Sequence, residues 1–181
     1  SEGGFAIPPA TLAEADGSVT LAAGGLRAEI RLAPFGIAWY RDGETVPFLR
    51  DRPTQAYYLS RRTGALAHSM ERHEGERHYG LGDKAGPLDR TGRRFAIDAV
   101  DPCGYDAELS DPLYKMLPFF IVDGARGAHG VFYDNLALAS VDLGCTLDNY
   151  HDLFRGYRAE DGDLDYYVLA GPTVPDVSRR F

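Results

Sequence analysis

The chain has 181 residues, a net charge of −8 at pH 7 and 25% charged residues. This length corresponds to little more than one average domain, and it is too short for a (β/α)8 barrel of roughly 250 residues. The acidic balance disfavours nucleic acid or an anionic membrane surface as a partner. The longest apolar run, residues 117–122, is far shorter than the ~20 residues of a membrane span.

The two cysteines, Cys103 and Cys145, lie far apart in the sequence. A pair this sparse is not typical of a disulfide framework, so we expect buried, unreactive thiols in a reducing compartment. The first residues show no basic segment followed by an apolar one, which is the pattern of a signal peptide. The sequence therefore predicts a cytoplasmic protein.

Glycine and proline punctuate the whole chain, with 21 glycines and 11 prolines. They leave little room for long helices, and the segments between them have the short lengths and apolar alternation of strands. Asp-Gly pairs at 42–43 and 123–124 predict hairpin turns. Many short strands between turns predict an all-β sandwich. In chain order the predicted strands are 26–32, 35–39, 45–49, 95–100, 119–122, 130–133, 136–143 and 164–169.

One helix start is visible, at the end of the chain. Thr173 is a suitable N-cap, Pro175 lies in the first turn, and Asp176 can satisfy free amides at the third position. The chain ends at Phe181 before this helix completes two turns. We therefore expect an element that is cut rather than finished.

Two polar clusters invite a metal or cofactor interpretation that their spacing does not support. His68, His73 and His78 recur every five residues, and odd spacing alternates the faces of a strand, so this segment predicts a solvated hairpin rather than a metal site. The glycine-rich segment 80–86 lacks the Gly-Lys-Ser/Thr of a phosphate-binding loop, and Pro87 interrupts any following helix. The segment therefore predicts a tight turn, and we expect neither cofactor nor metal.

A run of carboxylates follows the strand predicted at 95–100. Two carboxylates held ~5–10 Å apart could hydrolyse a glycosidic bond. The run could equally form a loop that accepts hydrogen bonds from sugar hydroxyls, and both interpretations stay open on the residues alone. The carboxylates are Asp98, Asp101, Asp106, Glu108 and Asp111.

From Tyr79 onward the sequence resembles the N-terminal domain of glycoside hydrolase family 31, the α-glucosidases and their relatives. The resemblance covers residues 79–181, whereas residues 1–78 match only in general character. The Gly-Pro-Leu-Asp-Arg form at 86–90 favours α-glucosidases over α-xylosidases. The matching segments, in family order and spacing, are 79–84, 86–94, 110–115 with 118–120, 130–135 and 164–172.

The resemblance implies a galactose-mutarotase-like β-sandwich formed by residues 1–181 as a single domain. Its parts would be the weakly matched 1–78, the family-like 79–172, and the start of a linker helix at 173–181. In the family this domain precedes a (β/α)8 barrel that holds both catalytic acids, the nucleophile being an Asp followed by Met-Asn-Glu. Neither Met70 nor Met116 precedes Asn-Glu. We therefore expect no catalytic residue in this chain.

The resemblance also implies two substrate-binding residues. In the family a loop from the sandwich closes one wall of the sugar pocket, and by motif Asp101 matches the loop aspartate and Tyr114 the loop aromatic residue. A carboxylate can accept hydrogen bonds from two hydroxyls, and an aromatic face suits the C–H surface of a pyranose. The alternative is that Asp101 makes a turn with Pro102 and that Tyr114 fills the core.

The leading hypothesis is therefore the non-catalytic N-terminal sandwich of a retaining α-glucosidase, with its own barrel as partner and an α-glucoside as substrate. Such a domain should expose an apolar face near residues 114–120 and Phe181, and it should self-associate when isolated. A free-standing carbohydrate-binding module would need an exposed aromatic platform. An epimerase of the mutarotase type would need a His acid and a Glu base in one cleft, for which the 68–78 cluster is the only candidate.

Overall fold

The computed structural model describes residues 8–146 and 153–181, which form fourteen strands and one helix. This confirms the predicted all-β class. None of the described residues belongs to a helix with the length and hydropathy of a membrane span. The contacts divide the chain into two compact units, Ser1–Thr54 and Gln55–Phe181. The assignment of residues 1–181 to one domain stays a prediction, and its first seven residues lie outside the described part.

The first unit contains one antiparallel sheet whose strands pair in chain order. Its third strand coincides with the alternating segment predicted at 26–32. On one face of that strand, Arg27 forms an ion pair with Glu29 at 2.8 Å and stacks over the ring of Tyr40. The strands are β1 (Ala10–Ala15), β2 (Ser18–Ala23), β3 (Leu26–Leu32), β4 (Phe35–Arg41) and β5 (Leu49–Arg50).

The second unit contains two antiparallel sheets. The strands are β6 (Tyr57–Leu59), β7 (Leu66–Glu71), β8 (Arg77–Gly82), β9 (Arg94–Ile97), β10 (Met116–Gly124), β11 (Gly127–Tyr133), β12 (Ala139–Asp142), β13 (Phe154–Ala159) and β14 (Tyr166–Gly171). One sheet has the order β14-β11-β10-β8, and the other has the order β6-β7-β13-β12-β9.

The core of this unit lies between its two sheets. Alternate residues of β7 are buried, as the period of a strand requires. Tyr133 of β11 stacks on Tyr157 of β13 with ring centroids 3.8 Å apart, so the rings join the two sheets directly. His78 of β8 contacts the ring of Phe120 of β10 beside it. The unit is therefore a β-sandwich, as predicted.

Helix α1 (Val174–Arg180) covers the outer face of the four-stranded sheet. Thr173 occupies its N-cap position and Pro175 lies in its first turn, which confirms the predicted start. The Thr173 hydroxyl, however, donates to the Asp176 carboxylate instead of capping a backbone N–H. Val177 is fully buried in a small apolar cluster with Phe119 and Ile121. The ring of Phe181, at the C-cap, stacks on Phe119 with centroids 3.8 Å apart.

The sequence patterns missed five strands and misplaced one turn. The β10–β11 hairpin pairs Gly124 with Gly127, so its turn is Ala125–Arg126 rather than Asp123-Gly124. The missed strands are β1, β2, β7, β8 and β13. Strands β7, β8 and β13 carry His and Arg at inward positions, so they lack the apolar alternation by which half-buried strands are recognised.

Two predictions about polar side chains were wrong. His68 and His78 are fully buried, not part of a solvated hairpin. Residues 72–76 carry the chain from the five-stranded to the four-stranded sheet, so the face alternation restarts and both rings point into the sandwich. Cys103 and Cys145 are exposed free thiols rather than buried ones, because both lie in loops at the surface.

Candidate functional site: the loop between β9 and β10

Residues 98–115 connect β9 to β10, and we call them the β9–β10 loop. The backbone N–H of Val100 donates to the carbonyl of Leu113 at 3.2 Å and closes the base of the loop. At its tip, the Asp106 carboxylate accepts the N–H groups of Glu108 and Leu109, both at 2.8 Å. The loop is therefore internally hydrogen-bonded, although it is irregular.

A buried ion pair anchors this loop to the sandwich. The Lys84 side chain is fully buried, and its Nζ donates to Asp111 Oδ1 at 2.8 Å and to the carbonyl of Ala96 in β9. The second oxygen of Asp111 accepts the Ala96 N–H at 2.6 Å. Asp111 therefore ties the loop to β9 through the Ala96 N–H, and Lys84, which also contacts the Ala96 carbonyl, supplies the matching charge.

The turn that follows β8 is organised by two arginines and contacts the loop. The Arg90 guanidinium donates to the carbonyls of Lys84, Ala85 and Pro87 at 3.0, 3.0 and 2.7 Å. The N–H of Gly86 donates to the carbonyl of Ala107 in the loop at 2.8 Å. Arg93 adds bonds to the carbonyls of Ala85 and Glu108. Segment 84–94 thus forms the support on which the loop rests.

Glycine is required where β8 pairs with the start of β10. Gly80 and Gly82 both have positive φ, and a Cβ on either would lie 2.6 Å from the Phe119 carbonyl oxygen or 2.5 Å from that of Lys115. A side chain at either position would therefore collide with the main chain of β10 or of the residue before it, and the clash could be relieved only by moving that segment away from β8. The Gly-Leu-Gly segment therefore lets the end of the loop return close to β8.

We expect Lys84→Met to release the β9–β10 loop without unfolding the protein. Methionine can occupy the space of the buried alkyl stem, and Asp111, at 16% exposure, can turn to water once its cation is removed. The two exposed thiols allow the measurement: a nitroxide on Cys103, inside the loop, reports loop motion, and one on Cys145 serves as the control.

The expected spectra show a several-fold shorter nitroxide correlation time at Cys103 and no change at Cys145, each label being placed after the other cysteine is replaced by serine. Equal mobilisation at both positions would mean general loosening of the protein. Unchanged spectra at both would contradict the anchoring role of Lys84.

The loop and the turn together border a pocket of about 360 Å³ that is open to the surface. Tyr105 and Tyr114 line it with 55% and 51% of their surface exposed, which excludes the alternative that Tyr114 fills the core. Leu113 is buried beside them. The lining residues are Asp83, Lys84, Ala85, Tyr105, Ala107, Leu113 and Tyr114.

Asp101 lies apart from this pocket. It is exposed in the irregular first half of the loop and is not among the pocket-lining residues. The structure therefore places Asp101 and Tyr114 on one loop, and of these two only Tyr114 lines this pocket. Of the other carboxylates in the run, Asp106 shapes the tip of the loop and Asp111 anchors it to β9.

Two of the three histidines named for the epimerase hypothesis, His68 and His78, lie in the sandwich interior rather than in a cleft. The third, His73, is half-buried, with its Nε2 2.9 Å from Arg126. His68 Nδ1 is 2.9 Å from the Tyr133 hydroxyl, and its ring stacks on Tyr57. His78 Nε2 accepts a hydrogen bond from Arg155, which also donates to Glu76 at 3.1 Å. Within the described ranges no group of three or more potential ligands could hold a metal ion. No sugar can reach the rings of His68 and His78, and the Nε2 of His73 is engaged by Arg126, so none of the three is arranged as the acid that the epimerase hypothesis requires.

Burial and the neighbouring Arg155 and Arg72 charges lower the pKa of His78 to about 3 from its usual 6.5. The unfolded chain therefore binds a proton at this residue between pH 6.5 and pH 3, whereas the folded protein does not. The free energy of unfolding should fall as the pH drops through this window, by at most about 1.4 kcal/mol per pH unit for this group.

The check is urea unfolding at pH 7.5, 6.5, 5.5 and 5.0, compared between the protein and His78→Gln, which cannot titrate. We expect the difference between their unfolding free energies to narrow steadily as the pH falls. Only the protein with His78 loses stability by protonation of this residue in the unfolded chain. Parallel curves would show that His78 is not held neutral in the folded state.

These features define a class of protein: a mutarotase-like β-sandwich with an anchored loop between two of its strands. Residues 4–142 match the family model of the glycosyl hydrolase 31 N-terminal galactose mutarotase-like domain, and the chain belongs to this family. The expectation from the five sequence segments is thereby confirmed.

Among characterised relatives, the chain is 35% identical to Alpha-glucosidase 2 of Bacillus thermoamyloliquefaciens over 108 residues, which are 60% of this chain and 13% of that protein. It is 31% identical to the Alpha-glucosidase of Saccharolobus solfataricus over 102 residues, 56% of this chain and 14% of that protein. The matched part therefore spans only about one seventh of these enzymes.

Solved structures show the same fold. A GH31 dextranase of Flavobacterium johnsoniae, complexed with glucose, matches 94% of this chain and 20% of its own with a TM-score of 0.80 and 23% identity. The glucosidase II alpha subunit matches 93% of this chain and 23% of its own with a TM-score of 0.73 and 18% identity. Both are much longer chains in which this fold is one part.

Proposed function

We propose that this chain is the non-catalytic N-terminal domain of a retaining α-glucosidase, that it packs on the catalytic barrel, and that its β9–β10 loop forms one wall of the sugar-binding pocket. The observation that carries the proposal is the anchored loop. The Lys84–Asp111 ion pair and two arginines, Arg90 and Arg93, support this loop on the sandwich. The loop presents the exposed Asp101 carboxylate and the half-exposed rings of Tyr105 and Tyr114 at the surface. Groups that contact substrate require such support, because their position must be fixed before binding.

The family assignment and the α-glucosidase relatives support the substrate class. In this proposal Asp101 accepts hydrogen bonds from hydroxyls of an α-glucoside, and Tyr114 contacts a sugar ring. The acid and nucleophile reside in the barrel, where a covalent glycosyl intermediate would account for retention. The exposed free thiols of Cys103 and Cys145 fit a reducing, cytoplasmic location.

The apolar face expected near residues 114–120 and Phe181 contains fewer exposed side chains than the sequence suggested. Phe119 and Phe120 are buried, because α1 covers the first and the sandwich interior encloses the second. Leu117 and Phe181 remain exposed, and we propose that they contact the barrel in the whole enzyme and drive self-association of the isolated chain. Light scattering at rising protein concentration tests the second part.

The test of the proposal begins with the 181-residue chain itself. We expect no hydrolysis of 4-nitrophenyl α-D-glucopyranoside above the rate of the buffer, because both catalytic acids lie in the barrel. The control is the same preparation carrying Asp101→Ala, which exposes any contaminating glucosidase. Turnover that accompanies the chain through purification and disappears in Asp101→Ala would overturn the proposal.

A further inference from the structure

The pocket beside the loop has the components of a sugar-binding site that does not involve Asp101. Two tyrosines line it, each with about half of its surface exposed. Tyr105 comes from the middle of the loop and Tyr114 from its end, so folding of the loop brings them to one cavity. The volume of about 360 Å³ is at the lower end of the range for small-ligand pockets.

The charge inside the pocket is negative, although a lysine lines it. The Lys84 side chain is fully buried, with its ammonium turned to Asp111 and Ala96, so this residue borders the pocket without its charge. Ala85 and Leu113 supply apolar lining. Asp83 is the only carboxylate that lines the cavity among the described residues. Its backbone N–H donates to the carbonyl of Lys115 at 3.2 Å, which fixes the residue at the edge of β8.

These groups select for one class of ligand. A pyranose has apolar C–H faces that pack well on tyrosine rings, and its hydroxyls can donate hydrogen bonds to a carboxylate. A nucleotide would also stack on the rings, but its phosphates would meet Asp83. Among the described residues that line the cavity the one cation is Lys84, whose charge is neutralised within the ion pair. A neutral sugar ring fits both the rings and the charge.

We propose that the pocket formed by Asp83, Tyr105 and Tyr114 binds one pyranose ring of a gluco-oligosaccharide, and that it does so in this chain alone. The choice of gluco-configured sugars rests on the proposed function, whereas the site rests on the geometry of the pocket. Asp83 and Tyr105 are thereby specificity-determining residues that lie outside the two positions matched by motif. The site would hold an oligosaccharide while the barrel acts on another of its rings.

Titration of the 181-residue chain by heteronuclear NMR tests this directly, with maltotriose and isomaltotriose as probes. Sorbitol is the control ligand, because it has similar hydroxyls but no ring face. We expect saturable shifts confined to residues 83–85 and 105–114 for at least one trisaccharide and none for sorbitol. Tyr105→Ala and Asp83→Asn should each weaken binding by about tenfold, which corresponds to the loss of one stacking or charged contact.

Tyr58→Ala is the matched control variant, because Tyr58 is 49% exposed in the same unit and lies outside the pocket. It should bind like the unaltered chain. Absence of saturable shifts with both trisaccharides, equal response to sorbitol, or unchanged affinity in both pocket variants would overturn the proposal. These outcomes leave the inactivity of the chain and the role of Asp101 untouched, so failure of this site is distinguishable from failure of the proposed function.

Discussion

Glu76→Ala should lower the free energy of unfolding by about 3–5 kcal/mol, since it leaves a buried arginine without its counter-charge. Arg155 is 1% exposed and lies between the sheets, with its Nη1 3.1 Å from Glu76 Oε2. Burial lowers the pKa of Arg155 and the Glu76 charge opposes that effect. Glu76 also accepts the N–H of His73 at the crossing between the sheets, so its loss affects the connection as well. Urea unfolding followed by circular dichroism measures the change.

Two further variants separate the buried charge from the mere loss of contacts. Replacing both partners, Glu76→Leu with Arg155→Met, should recover much of the lost stability, because no uncompensated charge remains. Arg179→Ala breaks an exposed ion pair with Asp176 and should leave unfolding unchanged. If Glu76→Ala unfolds like the unaltered protein, Arg155 must have access to water that the structure does not show.

Asp101→Ala should lower kcat/KM for an α-glucoside by roughly 10–150-fold once the chain is joined to a catalytic barrel. The loss of a charged hydrogen-bond partner to substrate costs about 1.5–3 kcal/mol. Stability should not change, because Asp101 is exposed in a loop. The measurement uses Alpha-glucosidase 2 of Bacillus thermoamyloliquefaciens with its matching segment replaced by this chain, since the two are 35% identical there.

Glu108→Ala is the control for this substitution. Glu108 is an exposed carboxylate on the same loop, and its backbone carbonyl rather than its side chain contacts Arg93. Its removal should leave kcat/KM unaltered. Equal kinetics for Asp101→Ala and the parent would return Asp101 to a purely conformational role beside Pro102.

The sequence predicted those parts of the fold in which a local pattern matches burial. The alternating segment 26–32 and the Thr173–Pro175 helix start are of this kind, and both were confirmed. Strands β7 and β13 were missed because their inward positions include His68 and Arg155, whose burial depends on partners more than sixty residues away. Polar residues that are satisfied only by tertiary contacts carry no local signal of burial.

The candidate site shows the same limit. The sequence motifs identify Asp101 and Tyr114, but they do not predict that Lys84 pairs with Asp111 or that Tyr105 and Asp83 line one pocket. Those pairs form because glycines at 80 and 82 let β10 return close to β8, which sets the support under the loop. The Gly-Leu-Gly-Asp-Lys segment at 80–84 is recognisable in the sequence, but its role in anchoring the loop follows only from the ion pair that Lys84 forms with Asp111.

The central claim, that this domain completes the sugar site of an α-glucosidase, is tested most directly by domain replacement. Two forms of Alpha-glucosidase 2 are compared: one lacking the segment that this chain matches, and one carrying this chain in its place. We predict that the first is folded poorly or inactive, and that the second hydrolyses 4-nitrophenyl α-D-glucopyranoside in a manner that depends on Asp101. A replacement enzyme that is monodisperse and folded yet inactive, or a truncated enzyme that is fully active without the domain, would contradict the claim.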